Sequence, residues 1–358
     1  MKILFVIRDM VVGGAGRQLA LTANALSDKG FCVEIFAYCG GPLEHRLNCG
    51  VHFISQNPVP RGKITEYFLA PFNIRKRIKL SKPDIVISWR NNAGCFSVLA
   101  SIGLKVKTIY SERTDPYSET SVALKISSWI CGFSDGGIFQ LERVRRYYKR
   151  LYDKSVVICN PVDSDMLKQN FIPYSEHRKK IVHVGRMVLS QKRQDVMIDA
   201  FKLFLEKFPN YELHFYGDGC DFEFVKQLAK DREIFDSVVF HGSVNDVTRE
   251  IKDAKMLVLT SDYEGIPNVV LEAFSVGVPV VSTDCSPGGA KLLIGDDECG
   301  LLASVGNAYD VANKMMCVVE NAENTELLIS RGFSKLKDFS PEVIFSRLQK
   351  YLNLVGNR

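Results

Sequence analysis

Two pairs of charged residues in the second half of the chain have the types and the spacing of a ligand site. Arg186 and Lys192 follow a strand-like run, and Glu264 and Glu272 lie further along the chain. Arginine offers a flat fork of donors to phosphate oxygens, and lysine carries a mobile point charge. Two such cations suit a diphosphate, and two separated carboxylates suit the hydroxyl groups of a sugar and a ribose. Together these residues predict a pocket for a nucleotide sugar.

The segment between the two glutamates predicts the start of a helix. It comes after residues 256–260, a continuous apolar run of the kind found in buried parallel strands. Proline is favoured at the first position of a helix, because the N–H group that it lacks would go unpaired there. We therefore expect Pro267 to open a helix that runs to about Ser275.

A helix start at this place would set the two acids around a ligand. The first turn of a helix offers unpaired N–H groups and a partial positive charge, which suit a phosphate. Glu264 would precede the helix and Glu272 would lie about two turns further on, so that each binds a different pair of hydroxyl groups. The alternative is that both are solvated acids on a helix surface. The residues expected to line the ligand are Gly265, Ile266, Pro267 and Asn268.

The two cations stand at a junction between a predicted strand and a predicted helix. The strand ends at Gly185-Arg186, and residues 191–207 have the apolar spacing of an amphipathic helix. Open parallel sheets bind ligands at such strand–loop–helix junctions. We therefore expect Arg186 and Lys192 to contact the ligand, with a basic surface loop as the alternative.

These residues, in this order, resemble the motifs of the family 4 glycosyltransferases, which are retaining enzymes of the two-domain GT-B fold. The resemblance covers nearly the whole chain. Each motif alone is a weak to moderate signal, whereas their order and spacing are specific for the family but not for a substrate. The segments that carry the resemblance are Gly13-Gly14-Ala15-Gly16-Arg17, Val157-Ile158-Cys159-Asn160-Pro161-Val162-Asp163, Gly185-Arg186 with Lys192, Phe215-Tyr216-Gly217-Asp218-Gly219, Phe240-His241-Gly242, Glu264 with Glu272, and Thr283-Asp284-Cys285 through Gly288-Gly289.

The resemblance implies a hexosyltransferase of bacterial cell-surface polysaccharide biosynthesis with an α/β fold, in which two Rossmann-like domains face a cleft. Its donor would be a nucleotide diphosphate sugar, expected to be a UDP-sugar, held chiefly by the second domain. Arg186 and Lys192 would stabilise the charge that grows on the departing diphosphate. Glu264 would orient the transferred sugar, and Glu272 would accept hydrogen bonds from the ribose. The acceptor would attack the face that the diphosphate leaves, and the leaving phosphate would take the acceptor's proton.

The first half of the chain would contribute two further contacts to the donor. Gly14 would line it, because a glycine lets backbone approach a ligand closely. Arg17, in the first turn of the following helix, would reach a phosphate. The first half also departs from the family, because many members have a histidine near the transferred sugar and the corresponding segment 111–116 has none. A second departure is Ala290, where the family often has a glutamate.

Composition favours a globular protein with two domains of ordinary size. The chain has 358 residues, of which 46% are hydrophobic and 24% are charged. No apolar run approaches the roughly 18 residues of a membrane-spanning helix. The first residues become charged too early for a signal peptide, so we interpret residues 2–7 as a buried strand. The ten cysteines are scattered without metal-ligand spacing, which favours reduced thiols in a cytoplasmic protein.

The two halves of the chain differ in charge. Residues 1–170 contain 24 Lys and Arg against 14 Asp and Glu, whereas residues 171–358 contain 22 against 27. The basic half includes residues 143–152, which interleave cations with tyrosines and are expected to form one helix with Arg143, Arg146 and Arg150 on one side. Such a face suits an anionic membrane surface or a phosphate-bearing acceptor. We expect one of these partners and no nucleic acid, with a solvated helix face as the alternative.

Strand-like and helix-like stretches alternate along both halves, as in parallel sheets covered by helices. We expect a first domain over residues 1–168, onto which 341–358 pack back, and a second domain over 178–340. The predicted strands are residues 2–7, 31–37, 51–54, 84–88, 106–110, 136–139, 156–158, 180–185, 212–216, 238–240, 256–260 and 279–282. Helices are predicted at residues 16–27, 66–80, 121–131 and 191–207, and from Pro341 after a capping Ser340.

Other functions are less consistent with the residues. A dinucleotide fold would need a third glycine where Leu19 stands, which counts against a nicotinamide or flavin enzyme. Asp163-Ser164-Asp165 resembles a metal motif but is expected to be a helix cap, so we predict no metal and no other cofactor. An epimerase of the same fold and a two-lobe sugar-binding protein are the alternatives to a transferase.

For the transferase, we expect an oligosaccharide acceptor that is lipid-linked or lipopolysaccharide-like. A peripheral enzyme would reach this acceptor from the cytoplasmic face of the membrane.

Overall fold

The computed structural model divides the chain into two compact units. These are Met1–Pro161 with Pro341–Arg358, and Val162–Ser340. Residues 162–168, which we assigned to the first domain, are thus part of the second unit. Gly13 of the predicted glycine loop and Asn170 of the predicted linker lie outside the described residues. The structure describes residues 1–11, 14–56, 63–168 and 171–357.

The first unit is built on a parallel sheet whose strands follow the order β3-β2-β1-β4-β5-β6-β7 in the described residues. Its central strands β1 and β4 are buried along almost their whole length, as continuous apolar runs are when helices cover both faces of a sheet. The strands are β1 (Lys2–Ile7), β2 (Cys32–Ala37), β3 (Val51–Ser55), β4 (Ile85–Trp89), β5 (Lys107–Ser111), β6 (Gly136–Phe139) and β7 (Ser155–Val157).

The second unit contains a second parallel sheet, with the described strands in the order β10-β9-β8-β11-β12-β13. The alternating pattern read from the sequence is therefore confirmed in both units, although the three-residue strand β13 was not predicted. The strands are β8 (Arg178–Val184), β9 (Glu212–Tyr216), β10 (Val238–Phe240), β11 (Ala254–Leu259), β12 (Val280–Thr283) and β13 (Leu301–Ala303).

Helices connect the strands in both units. In the described residues they are α1 (Gly14–Asp28), α2 (Lys63–Ser81), α3 (Asn91–Ser101), α4 (Val122–Cys131), α5 (Glu142–Tyr147), α6 (Leu189–Lys192), α7 (Gln194–Lys207), α8 (Phe222–Asp231), α9 (Val247–Ile251), α10 (Asn268–Ser275), α11 (Gly289–Ile294), α12 (Ala308–Glu320), α13 (Ala322–Lys335) and α14 (Pro341–Gly356). Within the described ranges, none of them has both the length and the apolar character that crossing a membrane requires.

The last helix, α14, follows the second unit in sequence but packs in the first. Pro341 is its first residue, as predicted. The Tyr351 hydroxyl accepts a hydrogen bond from the Gly137 amide at 2.8 Å and donates one to the Lys154 carbonyl at 2.5 Å. Apolar side chains of α14, including Leu348 and Leu352, join the core cluster of the first sheet. The helix therefore completes the hydrophobic core of the first unit.

Two helix boundaries in the second unit differ from the sequence prediction. The single helix expected over residues 191–207 is wrong, because Arg193 has a left-handed backbone with φ of 50° and separates α6 from α7. Apolar periodicity continues through such a break, so the pattern alone did not reveal it. The helix expected to open with Pro267 begins one residue later, at Asn268, and Pro267 occupies the capping position.

The single helix expected over residues 143–152 is also wrong. Helix α5 ends at Tyr147, and a 3₁₀ helix covers Lys149–Lys154. Tyr148 between them is buried, and its ring stacks on Phe139. Arg145 donates to the Tyr152 carbonyl at 2.8 Å. Residues of this basic segment such as Arg145 and Tyr148 thus take part in packing, and the segment does not present its cations on the face of one helix.

Candidate active site

The candidate site lies at the carboxyl edge of the second sheet, where strands β8 and β11 are neighbours. The chain leaves β8 toward β9 on one side and leaves β11 toward β12 on the other side. The two loops therefore diverge, which is the place where open α/β sheets bind ligands. Arg186 and Lys192 follow β8, and Glu264 follows β11. The fold brings these three predicted residues to one edge of the sheet.

Lys192 and Glu264 form an ion pair across these two loops. The Lys192 Nζ contacts the Glu264 Oε1, and the two side chains are only 13% and 11% exposed. The Ser261 hydroxyl donates to the same carboxylate oxygen at 2.7 Å. The Glu264 amide donates to the Ser286 carbonyl at 2.8 Å, which fixes its backbone. The alternative that Lys192 is an exposed cation on a basic surface loop is therefore wrong.

Arg186 is held by its backbone while its side chain stays exposed. The buried Gln194 side chain donates from Nε2 to the Arg186 carbonyl at 2.8 Å. The guanidinium Nη2 donates to the Gln191 Oε1 at 3.3 Å, at the first turn of α6. The exposed guanidinium therefore extends from a fixed strand end, and its contact with Gln191 keeps it close to the loop that carries Lys192.

Glycines let the loops around this site meet backbone to backbone. A Cβ on Gly217, whose φ is +136°, would stand 2.0 Å from the Gly185 carbonyl oxygen. A Cβ on Gly289 would stand 1.6 Å from the carbonyl oxygen of Gly265. The Gly217 amide also donates to the Gly242 carbonyl at 2.7 Å. No larger residue fits at Gly217 or Gly289 unless a loop of the site moves, so these glycines define its shape.

The two glutamates are both buried, so the alternative that they are solvated helix acids is wrong. Counted over the whole residue, Glu264 is 9% exposed and Glu272 is 6% exposed. Glu272 is the fifth residue of α10 and lies about one turn inside the helix, eight residues after Glu264. Ile266 and Pro267 are buried, whereas Gly265 and Asn268 are half-buried at the helix start.

Gly14 and Arg17 lie in the first unit, at the start of α1 after strand β1. Both are exposed. The neighbouring Gly16 is buried, and a Cβ on it would stand 2.7 Å from the His45 Nε2 and 3.2 Å from the Val11 carbonyl oxygen. This close approach explains why a glycine follows Gly14 and Ala15. The donor contacts expected of Gly14 and Arg17 stay predictions.

Sequence reasoning missed the residues that hold the Lys192 backbone. The Thr260 hydroxyl lies 2.9 Å from the carbonyl oxygens of both Lys192 and Arg193, and 3.5 Å from the His183 Nε2. The Arg193 guanidinium binds Asp195 at 2.9 Å and Asp262 at 3.1 Å. These contacts tie the loop after β8 to the loop after β11. Thr260 and His183 are polar residues within otherwise apolar runs of the sequence. This departure from the apolar pattern is the signal that could have identified them.

His183 is fully buried beneath this loop. Burial, and secondly the charge of Lys192, lower the pKa of His183 to about 3 from an ordinary value of 6.5. The folded chain therefore holds a neutral imidazole at a pH where the unfolded chain would be protonated. Neutrality of this ring avoids a second buried positive charge beside Lys192.

The His183 pKa predicts a pH dependence of stability. Because the folded pKa lies below the unfolded value, this contribution is complete above pH 6.5 and is lost as the pH falls toward 3. Between pH 6.5 and pH 5 the loss should be about 2 kcal/mol in the free energy of unfolding. Urea unfolding at the two pH values should show a smaller loss in His183→Gln than in the wild type. An exposed control, His52→Gln, should keep the wild-type loss, and equal losses in His183→Gln and the wild type would contradict the assignment.

The segment 111–116 of the first unit, where the family often has a histidine, contains a buried carboxylate instead. Glu112 is 2% exposed, and its oxygens accept from the Tyr148 hydroxyl at 2.8 Å and from the Thr114 hydroxyl at 2.8 Å. The Tyr110 hydroxyl also donates to it. Burial, and then the charge of Glu112, raise the pKa of Tyr110 and of Tyr148, which keeps both phenols as donors. Glu112 thus anchors the loop after β5.

Asp163 caps a 3₁₀ helix, Ser164–Leu167, and its side chain accepts from the Asp165 amide. The prediction of a helix cap at Asp163-Ser164-Asp165 is therefore confirmed. In the part of the chain that the structure describes, no group of three or more His, Cys, Asp or Glu side chains is placed to hold a metal ion.

Comparison with known proteins identifies the family. Residues 12–166 match the family model described as Glycosyltransferase Family 4, and residues 167–335 match the one described as Glycosyl transferases group 1. The GalNAc-alpha-(1->4)-GalNAc-alpha-(1->3)-diNAcBac-PP-undecaprenol alpha-1,4-N-acetyl-D-galactosaminyltransferase of Campylobacter jejuni is 29% identical over 100% of this chain and 99% of its own length. The lipopolysaccharide 1,6-galactosyltransferase of Escherichia coli is 35% identical over 38% of each chain.

A solved structure shares the fold. The crystal structure of Anabaena HepE in complex with UDP and glucose has a TM-score of 0.81 and covers 99% of both chains at 18% identity. The two matched family models together span most of the chain, and the described units have the two parallel, Rossmann-like sheets of the fold. The chain therefore belongs to the family 4 glycosyltransferases of the GT-B fold and is a hexosyltransferase.

Proposed function

We propose that this enzyme is a retaining glycosyltransferase that moves a sugar from a UDP-sugar to a lipid-linked or lipopolysaccharide-like oligosaccharide. The observation that carries the proposal is the Lys192–Glu264 pair at the junction of β8 and β11, beside the exposed guanidinium of Arg186. HepE, which has the same fold, was crystallised with UDP and glucose. The Campylobacter relative is named for an undecaprenol-PP-linked acceptor. Both names support the proposed substrates without assigning them to this chain.

Arg186 and Lys192 are proposed to stabilise the leaving diphosphate. Lys192 is nearly buried and held by Glu264, so it is preorganised before the donor arrives. Such fixed charges lower a barrier because they need no rearrangement while negative charge grows on the leaving group. Arg186 adds a planar fork for phosphate oxygens from the exposed side. The first turn of α10, Asn268 to Leu271, would add backbone N–H groups.

Glu264 and Glu272 are proposed to bind hydroxyl groups at the two ends of the donor. In the described residues, the Lys192 and Ser261 contacts of Glu264 are both made to Oε1. A sugar hydroxyl bound by Oε2 would complete that carboxylate and orient the transferred sugar. Glu272, inside α10, would accept hydrogen bonds from the ribose hydroxyls. The two acids would thus hold the sugar and the nucleoside on either side of the diphosphate.

The proposed reaction proceeds on one face of the sugar. The bond between the sugar C1 and the diphosphate oxygen breaks, and a bond between C1 and the acceptor oxygen forms on the same face. The departing phosphate oxygen takes the acceptor's proton. Glu264 contacts Lys192 and would act through hydrogen bonds to the sugar. We place the enzyme at the cytoplasmic face of the membrane, where a lipid-linked acceptor would be presented.

A panel of nucleotide sugars tests the proposed donor. Ligand binding to the folded state raises the melting temperature by mass action, so UDP and one or more UDP-sugars should raise it, and GDP-sugars or ADP-sugars should raise it less. Slow release of UDP from the stabilising donor should accompany binding. Stabilisation without any UDP release, with or without a dispersed lipid-linked oligosaccharide, would favour a sugar-binding protein. Conversion of the bound UDP-sugar to its epimer would favour an epimerase.

Turnover is expected to persist in a chelator. In this proposal Arg186, Lys192 and the start of α10 neutralise the diphosphate, and Asp163 is engaged as a helix cap. UDP release measured in EDTA should therefore match the rate measured in buffer alone. A manganese-dependent glycosyltransferase assayed in parallel confirms that the chelator removes the ion. Loss of activity in EDTA that magnesium or manganese restores would contradict the proposal.

A further inference from the structure

Helix α4 of the first unit exposes large apolar side chains along one side. We call Val122, Ile126, Trp129 and Phe133 the apolar stripe. Their exposed fractions are 71%, 54%, 58% and 49%. The spacing of four, three and four residues places them on one face of a helix and of the turn that follows it.

The opposite face of α4 is the buried one, and it is composed of small residues. Ser127, Ser128 and Cys131 are buried, and the Ser128 hydroxyl accepts a hydrogen bond from the Asn91 Nδ2 of α3 at 2.6 Å. An ordinary surface helix buries its large apolar residues and exposes its polar ones. The orientation of α4 is the reverse of this pattern. A contiguous exposed apolar face of this kind marks an interaction surface.

Cations accompany the apolar stripe. The Arg150 guanidinium lies over the Phe133 ring at 4.3 Å and near the Trp129 ring at 5.4 Å. Lys125, between Val122 and Ile126 in sequence, is exposed. Helices α3 and α4 contain no acidic residue. The surface is therefore apolar and positively charged together.

We propose that the apolar stripe, with Lys125 and Arg150, docks this enzyme on an anionic lipid bilayer. Tryptophan and phenylalanine can enter the headgroup region, where an aromatic ring is stabilised at the boundary between water and lipid. The two cations attract anionic headgroups. A second copy of the chain would bring like charges together, which opposes pairing through this face. The proposal rests on the proposed function only in that a lipid-linked acceptor requires an approach to the membrane.

Tryptophan fluorescence tests the contact directly. The chain has two tryptophans, of which Trp89 is 1% exposed and Trp129 is 58% exposed. Mixing the full chain with vesicles of phosphatidylcholine and phosphatidylglycerol should shift the emission to shorter wavelength, because Trp129 leaves water. The shift should be absent with phosphatidylcholine alone and should disappear in Trp129→Phe. An identical spectrum with and without anionic vesicles would overturn the proposal.

Vesicle sedimentation measures the strength of docking. The double variant Trp129→Ser/Phe133→Ser should bind anionic vesicles at least about tenfold more weakly than the wild type. Lys125→Gln/Arg150→Gln should weaken binding by about tenfold at low salt and remove most of its salt dependence. Phe224→Ser, which changes a phenylalanine that is 57% exposed in the second unit, is the matched control and should bind as the wild type does. Equal binding by all variants would overturn the proposal.

Two further measurements separate the possible failures. Analytical ultracentrifugation without vesicles should show the same mass for the wild type and the serine double variant. A dimer that the double variant dissociates would instead assign the stripe to self-association and overturn membrane docking. UDP release in vesicle-free buffer should be equal in the wild type and the double variant. Absence of UDP release with normal vesicle binding would reject the proposed function and leave the docking surface in place.

Discussion

Lys192→Ala should lose most of its turnover at saturating donor. Removing one preorganised charge that stabilises a leaving group typically raises the barrier by about 2.7–4 kcal/mol, which lowers kcat roughly a hundred- to a thousandfold. Arg186→Ala should show a loss of the same order. The measurement is UDP release at a donor concentration raised until the rate no longer increases. An exposed lysine of the same unit, Lys252, gives the control variant Lys252→Ala, which should keep the wild-type rate.

Stability should separate the two cations. The Lys192 and Glu264 side chains are nearly buried, and removal of one partner of a buried pair destabilises a protein by about 3 kcal/mol or more. Lys192→Ala should therefore also unfold at a lower temperature. Arg186 is exposed, so Arg186→Ala should keep the wild-type melting temperature. Near wild-type turnover in both variants would show that neither cation acts on the diphosphate.

The double variant Lys192→Ala/Glu264→Gln distinguishes catalysis from support of the fold. The side-chain amide that Glu264→Gln introduces needs no ionic partner. The double variant should therefore recover much of the stability that Lys192→Ala alone loses. Turnover should not recover, because the charge that faces the diphosphate is still missing. Recovery of turnover along with stability would mean that the pair only holds the loops in place.

Gly289→Ala should disrupt the donor site through a single methyl group. The new Cβ would stand 1.6 Å from the Gly265 carbonyl oxygen. The backbone fixes the position of both atoms, so no side-chain rotation can separate them. The loop from Glu264 to Asn268 would have to move, at a cost of about 1–3 kcal/mol for overpacking. Calorimetry should show UDP affinity lowered by roughly five- to a hundredfold, with a lower melting temperature.

Gly306→Ala is the matched control in the same unit. Gly306 has a positive φ of +72°, and the nearest atom to its Cβ is the Arg193 Nη1 at 3.8 Å. Alanine there should cost about 1–2 kcal/mol of stability from backbone strain and leave UDP affinity unchanged. If Gly289→Ala bound UDP as tightly as Gly306→Ala does, close packing of the two loops would not matter for the site.

The strands could be predicted, and the candidate site residues could be singled out, because both depend on local patterns in the sequence. Buried parallel strands are continuous apolar runs, and Arg186, Lys192 and Glu264 lie in the loops and the short helix that come after two of these runs. The Lys192–Glu264 pair could not be predicted, because its members are 72 residues apart and meet only through the order of the strands. The left-handed backbone of Arg193 separates α6 from α7. The spacing of apolar residues does not reveal a change in a single backbone angle.

The exposure of α4 could not be predicted for a different reason. Its sequence has the apolar spacing of a helix that packs against a core, and periodicity identifies an apolar face without saying what covers it. In the folded unit the small residues Ser127, Ser128 and Cys131 are the ones that allow close approach to α3. The basic segment 143–152 was expected to contact a membrane, and among its cations Arg150 lies against the aromatic rings of the apolar stripe.

The position of α14 determines the order in which the enzyme can mature on the ribosome. Residues 341–358 emerge after the whole of Val162–Ser340, yet Tyr351 joins the Gly137 amide to the Lys154 carbonyl in the first unit. Nascent domains ordinarily fold in sequence, the earliest first. Here the second unit is synthesised without interruption, whereas the first must wait for its last helix. Until α14 has been synthesised, the surface that Leu348 and Leu352 cover is open to solvent and to chaperones, so the first of the two units to be synthesised is the second to be completed.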